Sequence, residues 1–185
     1  MSQLLEKLRR DHVNLSRLLD LLSAQLNALR DGHESNFDLK IELLDYIEHY
    51  AEQHHHPTED RINQRVFAKP ELAERRPLQD RILSEHEALL GLARRYRDLL
   101  EGVMQGEVVP REEIEVRGRE FIALQRQHLD LEEQELFPLV EKNLTEEEWQ
   151  QLEASIPHMD DPVFQRQDYN RFRSLIDYLA QHEGE

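Results

Sequence analysis

Residues 51–66 read AEQHHHPTEDRINQRV and residues 121–136 read FIALQRQHLDLEEQEL. Each stretch places a histidine, and a glutamate four residues after it, in the apolar stripe of a helix. These residues are His55, Glu59, His128 and Glu132. Residues four apart share one helix face, with Cβ atoms about 5–6 Å apart. Because ionised carboxylates are rarely buried unless they are paired or bound to a metal, each stretch predicts a metal-binding helix.

Two more histidines, His12 and His86, lie in apolar stripes elsewhere in the chain, and the spacings repeat. His12 precedes His55 by 43 residues, and His86 precedes His128 by 42. Both residues of the second His-x-x-x-Glu pattern follow those of the first by 73. Two matched helix pairs of this kind predict one inward-facing site at a single depth of a bundle. The predicted metal ligands are His12, His55, Glu59, His86, His128 and Glu132.

The apolar spacing over the rest of the chain favours long helices. Leucines in the first segment recur at steps of three, four and seven, and no segment alternates with a period of two. The predicted helices run from about residue 3 to Asp31-Gly32, from the N-cap Asn36 to about Val66, from about Gln79 to Gly102–Gly106, and from Pro110 onward. We therefore expect an all-α, up-down-up-down four-helix bundle.

The chain is predicted to divide at residue 142. Residues 1–142 form the bundle, and residues 143–185 form a C-terminal helical extension. In the extension, Thr145 and Glu148 have the spacing of a capping box, and two shorter helices are expected on either side of Ile156–Asp161. The second of these is too apolar to stay exposed, so we expect it to pack on the bundle or on a partner subunit, which would give a homodimer.

Composition excludes several classes of function. The chain has 185 residues and a formal charge of −16, so it does not carry the basic surface that nucleic acids require. It has ten histidines and no cysteine, which excludes thiolate chemistry and cysteine metal sites. Without an apolar run of 18 residues or a signal-peptide core, we expect no membrane partner and a cytoplasmic location.

The remaining six histidines are predicted to lie at the surface. His56 has Asp60 four residues later and is a rival ligand pair. However, its helix face also carries His49, Glu52 and Asn63, which is typical of a solvated stripe. Whether His56 replaces a predicted ligand stays open at this point.

A set of imidazoles and carboxylates without thiolate suits iron, manganese, zinc or copper. Four histidines and two glutamates favour two ions about 3.5–4 Å apart, with both carboxylates bridging. Such ions keep a position for O₂, NO or peroxide, which non-haem iron binds most readily.

These residues resemble the hemerythrin, or HHE cation-binding, domain. The resemblance rests on Tyr50-x-x-x-x-His55-His56-Pro57-Thr58-Glu59-Asp60 and on His128-x-x-x-Glu132-Glu133-x-x-Leu136-Phe137-Pro138, and it covers about residues 1–142. His12 and His86 fall where that family has its single histidines of helices 1 and 3. The resemblance implies two non-haem iron ions (Fe²⁺/Fe³⁺) with an oxo or hydroxo bridge and no porphyrin.

Two departures from the oxygen-carrying members bear on function. Position 90 is leucine where they have a second helix-3 histidine, and Glu132, or its rival Glu133, stands in place of their aspartate. The set of four histidines and two glutamates resembles iron-sensing members and those implicated in repairing iron centres after oxidative or nitrosative stress. The leading hypothesis is a protein that binds or senses O₂, NO or peroxide, or handles iron. The alternatives are a di-iron oxidase, peroxidase or NO reductase, with Tyr50 as a candidate proton donor, and an interaction module with a structural metal.

Overall fold

A computed structural model describes residues 2–182, and this part of the chain consists of helices and their connections, without a strand. The first bundle helix is α1 (Gln3–Arg30) and the second is α2 (Phe37–Tyr46), a π-helical segment (Ile47–His55) and α3 (His56–Phe67). After a 3₁₀ turn (Pro70–Arg75), the third is α4 (Arg76–Met104). The fourth is α5 (Arg111–Leu131), a second π-helical segment (Glu132–Leu136) and α6 (Phe137–Asn143). The predicted all-α bundle is confirmed.

The helix ends follow from local chemistry. The Asn36 side chain accepts a hydrogen bond from the Leu39 amide, as expected of an N-cap. After α1, Gly32 has a φ of +79°, a left-handed conformation that glycine adopts without strain. The third helix begins at Arg76, earlier than predicted, because Pro77 fits a first helical turn, where no amide donor is needed.

Each π-helical segment meets one end of a His-x-x-x-Glu pattern. One ends at His55 and the other begins at Glu132. A π turn widens the helix and shifts the register of the residues that follow it. Pro57 and Pro138 lie just beyond the two segments, and the wider turns avoid the clash that proline causes in a regular α-helix. The second bundle helix therefore changes register at the π-helical segment while remaining continuous.

The core consists of two apolar clusters with a polar layer between them. On α1, Leu8 belongs to the smaller cluster and Leu15 to the larger, with His12 between them. On α4, Ile82 and Leu89 flank the next ligand, His86, in the same way. The fold therefore places the predicted ligands at one depth, shielded at both ends by apolar side chains.

The C-terminal segment packs on this same chain. Helix α7 (Glu146–Ser155) begins with the predicted capping box and buries Trp149 and Leu152 in the smaller cluster. Helix α8 (Arg173–His182) buries Leu175 and Ile176 against the larger cluster and contacts α2. Between the two helices, Asp161 accepts hydrogen bonds from the amides of residues 163 and 164, which form a turn. The boundary at residue 142 and the homodimer stay predictions. No helix in residues 2–182 has the length and hydropathy needed to cross a bilayer.

Candidate metal centre

The six predicted ligands meet in the polar layer, and none is more than 7% exposed. Four of them form a first group around one oxygen from each glutamate. His12 Nε2 lies 3.5 Å from Glu59 Oε1 and 3.3 Å from Glu132 Oε2. His55 Nε2 lies 3.3 Å from the same Glu59 oxygen. Two imidazole nitrogens and two carboxylate oxygens thus face one point.

A second group forms around the other oxygen of each glutamate. His86 Nε2 lies 3.5 Å from Glu59 Oε2 and 3.5 Å from Glu132 Oε1. His128 Nε2 lies 3.3 Å from that Glu132 oxygen. Each glutamate therefore presents one oxygen to each group, which is the arrangement of a carboxylate that bridges two ions.

Each of these histidines turns its other ring nitrogen, Nδ1, toward an outer carboxylate. Hydrogen bonds join His12 to Glu133 at 2.9 Å, His55 to Asp11 at 3.2 Å and His128 to Glu85 at 3.0 Å. The fourth contact joins His86 Nδ1 to Asp60 Oδ1 at 3.2 Å, without hydrogen-bond alignment. An Nδ1–H directed at a carboxylate leaves the lone pair on Nε2, where a metal can bind it. Glu133 and Asp60, which follow Glu132 and Glu59 in the chain, thus contact predicted ligands on other helices.

The inward atoms of the six residues fit bound cations. They are buried without a hydrogen-bond partner among the described residues: His12 Nε2, His55 Nε2, both oxygens of Glu59, His86 Nε2, His128 Nε2 and both oxygens of Glu132. Buried polar atoms are almost always satisfied, so this cluster needs an occupant. The donor atoms of His12, His55, Glu59 and Glu132 in the first group lie within 4.8 Å of one another, and so do those of His86, His128 and Glu59 in the second. Opposite donors on one ion, with bonds of about 2.0–2.1 Å, lie about 4.0–4.2 Å apart, which is within this span.

The prediction that His56 lies on a solvated face is wrong. His56 is 3% exposed, and Asn63, on the same face, is fully buried. The preceding π segment changes the register, so this face of α3 packs against α4 and not against water. One ring nitrogen of His56 joins Glu59, His86 and His128 in the second candidate group. Of the other five histidines, His33, His158 and His182 are exposed and His49 and His54 are partly exposed.

Comparison with protein families supports cation binding by this chain. The model of the hemerythrin HHE cation-binding domain matches residues 3–140, which is most of the chain. The chain belongs to the hemerythrin HHE cation-binding family. Neither the search of curated proteins nor the search of solved structures gave a match. Cation binding is therefore the general activity of this hemerythrin domain, and the two donor groups are its candidate site.

Electrostatics keep the carboxylates of Glu59 and Glu132 ionised. Burial alone would raise the pKa of Glu59, but His55, His12 and His86 outweigh it and hold that pKa well below its ordinary value. Burial and Glu59 likewise oppose ionisation of Glu132, whose pKa is nevertheless lowered by His128, His12 and His86. Both glutamates are thus present as anions that can bind cations.

The same pairing stabilises the protonated histidines of the metal-free centre. Burial lowers the pKa of His55, but Glu59 and Asp11 raise it to about 9. Burial likewise opposes the charge on His86, but Asp60, Glu132 and Glu59 raise its pKa to about 12. Protons therefore occupy nitrogen atoms that cations would take.

Tyr50 contacts the outer support of the centre and not the inward donors. Its hydroxyl donates to Asp11 Oδ1 at 3.2 Å and accepts from Lys7 Nζ at 2.6 Å. Burial, followed by the charge of Asp11, raises the pKa of Tyr50 well above its ordinary value. Lys7 and His54 line a cavity of about 250 Å³, so a hydrogen-bonded chain runs from that cavity through Asp11 to His55.

Proposed function

We propose that this hemerythrin domain binds two non-haem iron ions and uses them to bind or sense O₂, NO or peroxide, or to handle iron, under oxidative or nitrosative stress. One observation carries the proposal. Glu59 and Glu132 each direct one carboxylate oxygen into each of two histidine-containing groups. Such sharing favours a pair of ions over a single ion.

The donor chemistry supports iron. Inward-facing glutamates and histidines on four helices are the ligand type of di-iron and di-manganese carboxylate sites. Imidazole and carboxylate without thiolate suit iron in either common oxidation state. Bound iron would supply redox activity and affinity for small oxygen and nitrogen ligands. The oxo or hydroxo bridge stays a prediction of the sequence.

The surroundings favour small ligands. Apolar clusters close both ends of the polar layer, so the chain excludes bulk water and large substrates from the centre. His12, at 4% exposure, also lines a surface groove together with Val13, Ser16, Leu129 and Glu133. We propose that a diatomic molecule or peroxide enters from this groove. The cytoplasmic location stays a prediction, tested by cell fractionation.

The test is iron binding followed by exposure to the ligands. The full chain, loaded with Fe²⁺ without oxygen and then desalted, should retain about two iron ions. Exposure to O₂ or to NO should then change its absorption in the near ultraviolet and visible range. The double variant His55→Ala/His128→Ala should lose most of this iron, while the control His158→Ala/His182→Ala, altered at exposed histidines, should keep it. Full iron loading of the first variant would refute the proposal.

Two further measurements separate binding from the alternatives. Sustained turnover of peroxide or NO by the loaded protein would indicate an enzyme. A metal bound to the native state must raise the melting temperature, whatever else it does. Loading that raises stability without any response to O₂, NO or peroxide would indicate a structural metal in an interaction module.

A further inference from the structure

We propose that His56 is a third histidine donor to the ion held by His86 and His128, so that the two metal positions are chemically unequal. This inference rests on the proposed metal centre. Both ring nitrogens of His56 are buried without a hydrogen-bond partner among residues 2–182. One of them lies within 4.8 Å of the donor atoms of Glu59, His86 and His128.

The orientation of the His56 ring agrees with this role. The ring stacks on His86, with centroids 4.0 Å apart and planes at 9°, and meets His128 edge-on at 5.6 Å. Its Nδ1 lies 3.3 Å from Glu52 Oε1, a carboxylate oxygen that is itself buried without a hydrogen bond. The four predicted histidine ligands show the same pattern, with Nδ1 near a carboxylate. This leaves Nε2 of His56 as the atom for the ion.

The other metal position has no equivalent donor among the described residues. The 73-residue repeat that relates His55 to His128 relates His56 to Leu129, and it relates Glu52 to Gln125. Leu129 is buried in the larger apolar cluster. The ion near His86 is therefore offered His56, His86, His128 and Glu59, whose donor atoms lie within 4.8 Å of one another, and the Glu132 oxygen that lies 3.5 Å from His86 and 3.3 Å from His128. The ion near His12 is offered two histidines and two carboxylate oxygens.

A merely structural role for His56 leaves its contacts unexplained. A buried histidine in a core normally donates one ring N–H and accepts at the other nitrogen. His56 does neither, although two other imidazoles and the two carboxylates Glu52 and Glu59 lie close to it. A cation among them would satisfy the free nitrogen.

Unequal positions should fill in two steps, with the five-donor position first. Anaerobic titration of the full chain with Co²⁺, followed by visible absorption, reports both affinity and coordination number. We expect two resolved steps for the unaltered chain. For His56→Leu, which introduces the residue found at the related position 129, we expect two ions still to bind. The first step should weaken at least about tenfold, and its absorption should change toward lower coordination.

Two controls make the result specific. His54→Leu alters the adjacent, partly exposed histidine and should leave both steps unchanged. His56→Ala should regain the original cobalt spectrum when free imidazole is added, which a packing role for His56 would not produce. In the unaltered chain, ⁵⁷Fe Mössbauer spectra should show two inequivalent iron sites, and this readout needs no variant.

The outcomes separate the two proposals. If the unaltered chain fails to bind two ions, the proposed function fails. If it binds two ions with a single step and equivalent Mössbauer sites, the assignment of His56 is overturned while the metal centre stands. The assignment is also overturned if His56→Leu matches the unaltered chain in cobalt affinity and spectrum.

Discussion

Asp11 accepts a hydrogen bond from His55 Nδ1 at 3.2 Å, although the two residues lie on different bundle helices. Asp11 directly precedes the predicted ligand His12 in the chain. Its counterpart Glu85 directly precedes His86 and accepts from His128 Nδ1 on another helix. Asp11 and Glu85 thus each orient a histidine on the following bundle helix, His55 and His128 respectively. Hydrogen bonds between helices therefore hold the site together.

Replacing Asp11 by asparagine should weaken metal binding. The amide keeps the shape of the side chain but removes the charge that orients and polarises His55. Loss of such an outer contact typically lowers metal affinity about 10–100-fold. Competition against a chelator of known affinity measures the change. Asp98→Asn, at an exposed position on α4, is the control, and equal affinities of the two variants would contradict the proposed support.

Metal loading should release protons at neutral pH. Metal ligands must be deprotonated, whereas the pKa of His12 is raised well above its ordinary value, that of His55 to about 9 and that of His86 to about 12. Each of these histidines therefore carries a proton at pH 7 that a cation must displace. Apparent metal affinity should rise with pH. Calorimetry in two buffers of different ionisation enthalpy gives the number of protons released.

The pH dependence of that release has its own check. The contribution of His55 to the number of protons released should disappear above about pH 9, where the metal-free side chain is already neutral. A release that is zero at pH 7 would contradict the protonated state of the empty centre.

The grouping of the six predicted ligands in one buried layer could be expected from the sequence because it depends on short-range periodicity. His55 and Glu59 share one face at a spacing of four, and their repeat at His128 and Glu132 restricts the chain to one arrangement. The burial of two acidic residues inside apolar stripes is what made the interpretation specific. Both features can be predicted by assuming a regular α-helix, without knowing how the helices pack.

The π segments and the burial of His56 were not predictable by the same reasoning. A helical wheel drawn at 100° per residue places His56 among polar neighbours. In the structure, however, a π-helical segment widens the helix just before His56. Pro57 and Pro138, inside long predicted helices, were the available signal that the register changes. The sequence also shows an acidic residue next to each of four predicted ligands, namely Asp11, Asp60, Glu85 and Glu133. Which histidine each of them contacts depends on how the helices pack.

The metal-free protein should lose stability as pH rises, in part through His55. Its folded pKa of about 9 exceeds the ordinary 6.5, so its contribution is complete below pH 6.5 and disappears as pH rises through 9. A shift of this size corresponds to a contribution on the order of 3 kcal/mol. Denaturant unfolding with a chelator present, from pH 6 to 10, measures the free energy.

Comparison with His55→Gln isolates this contribution from that of other groups. The buried Lys40 has a pKa lowered to about 8 by burial, so its contribution rises over the upper part of the same range. The difference between the unaltered chain and His55→Gln cancels this effect. That difference should shrink between pH 6.5 and 9.5, and a constant difference would show that His55 does not carry the charge.

Removing a bridging carboxylate should affect both ions, whereas removing one histidine should affect one. Glu59 places Oε1 beside His12 and Oε2 beside His86, so Glu59→Gln removes charge from both positions at once. His12→Ala removes a donor from a single position. After loading and desalting, we expect less than about one iron per chain for Glu59→Gln and about one for His12→Ala. Glu87→Gln, at an exposed position beside His86, should retain both. Equal iron contents in Glu59→Gln and His12→Ala would argue against a shared carboxylate, since only a bridging group couples the two positions.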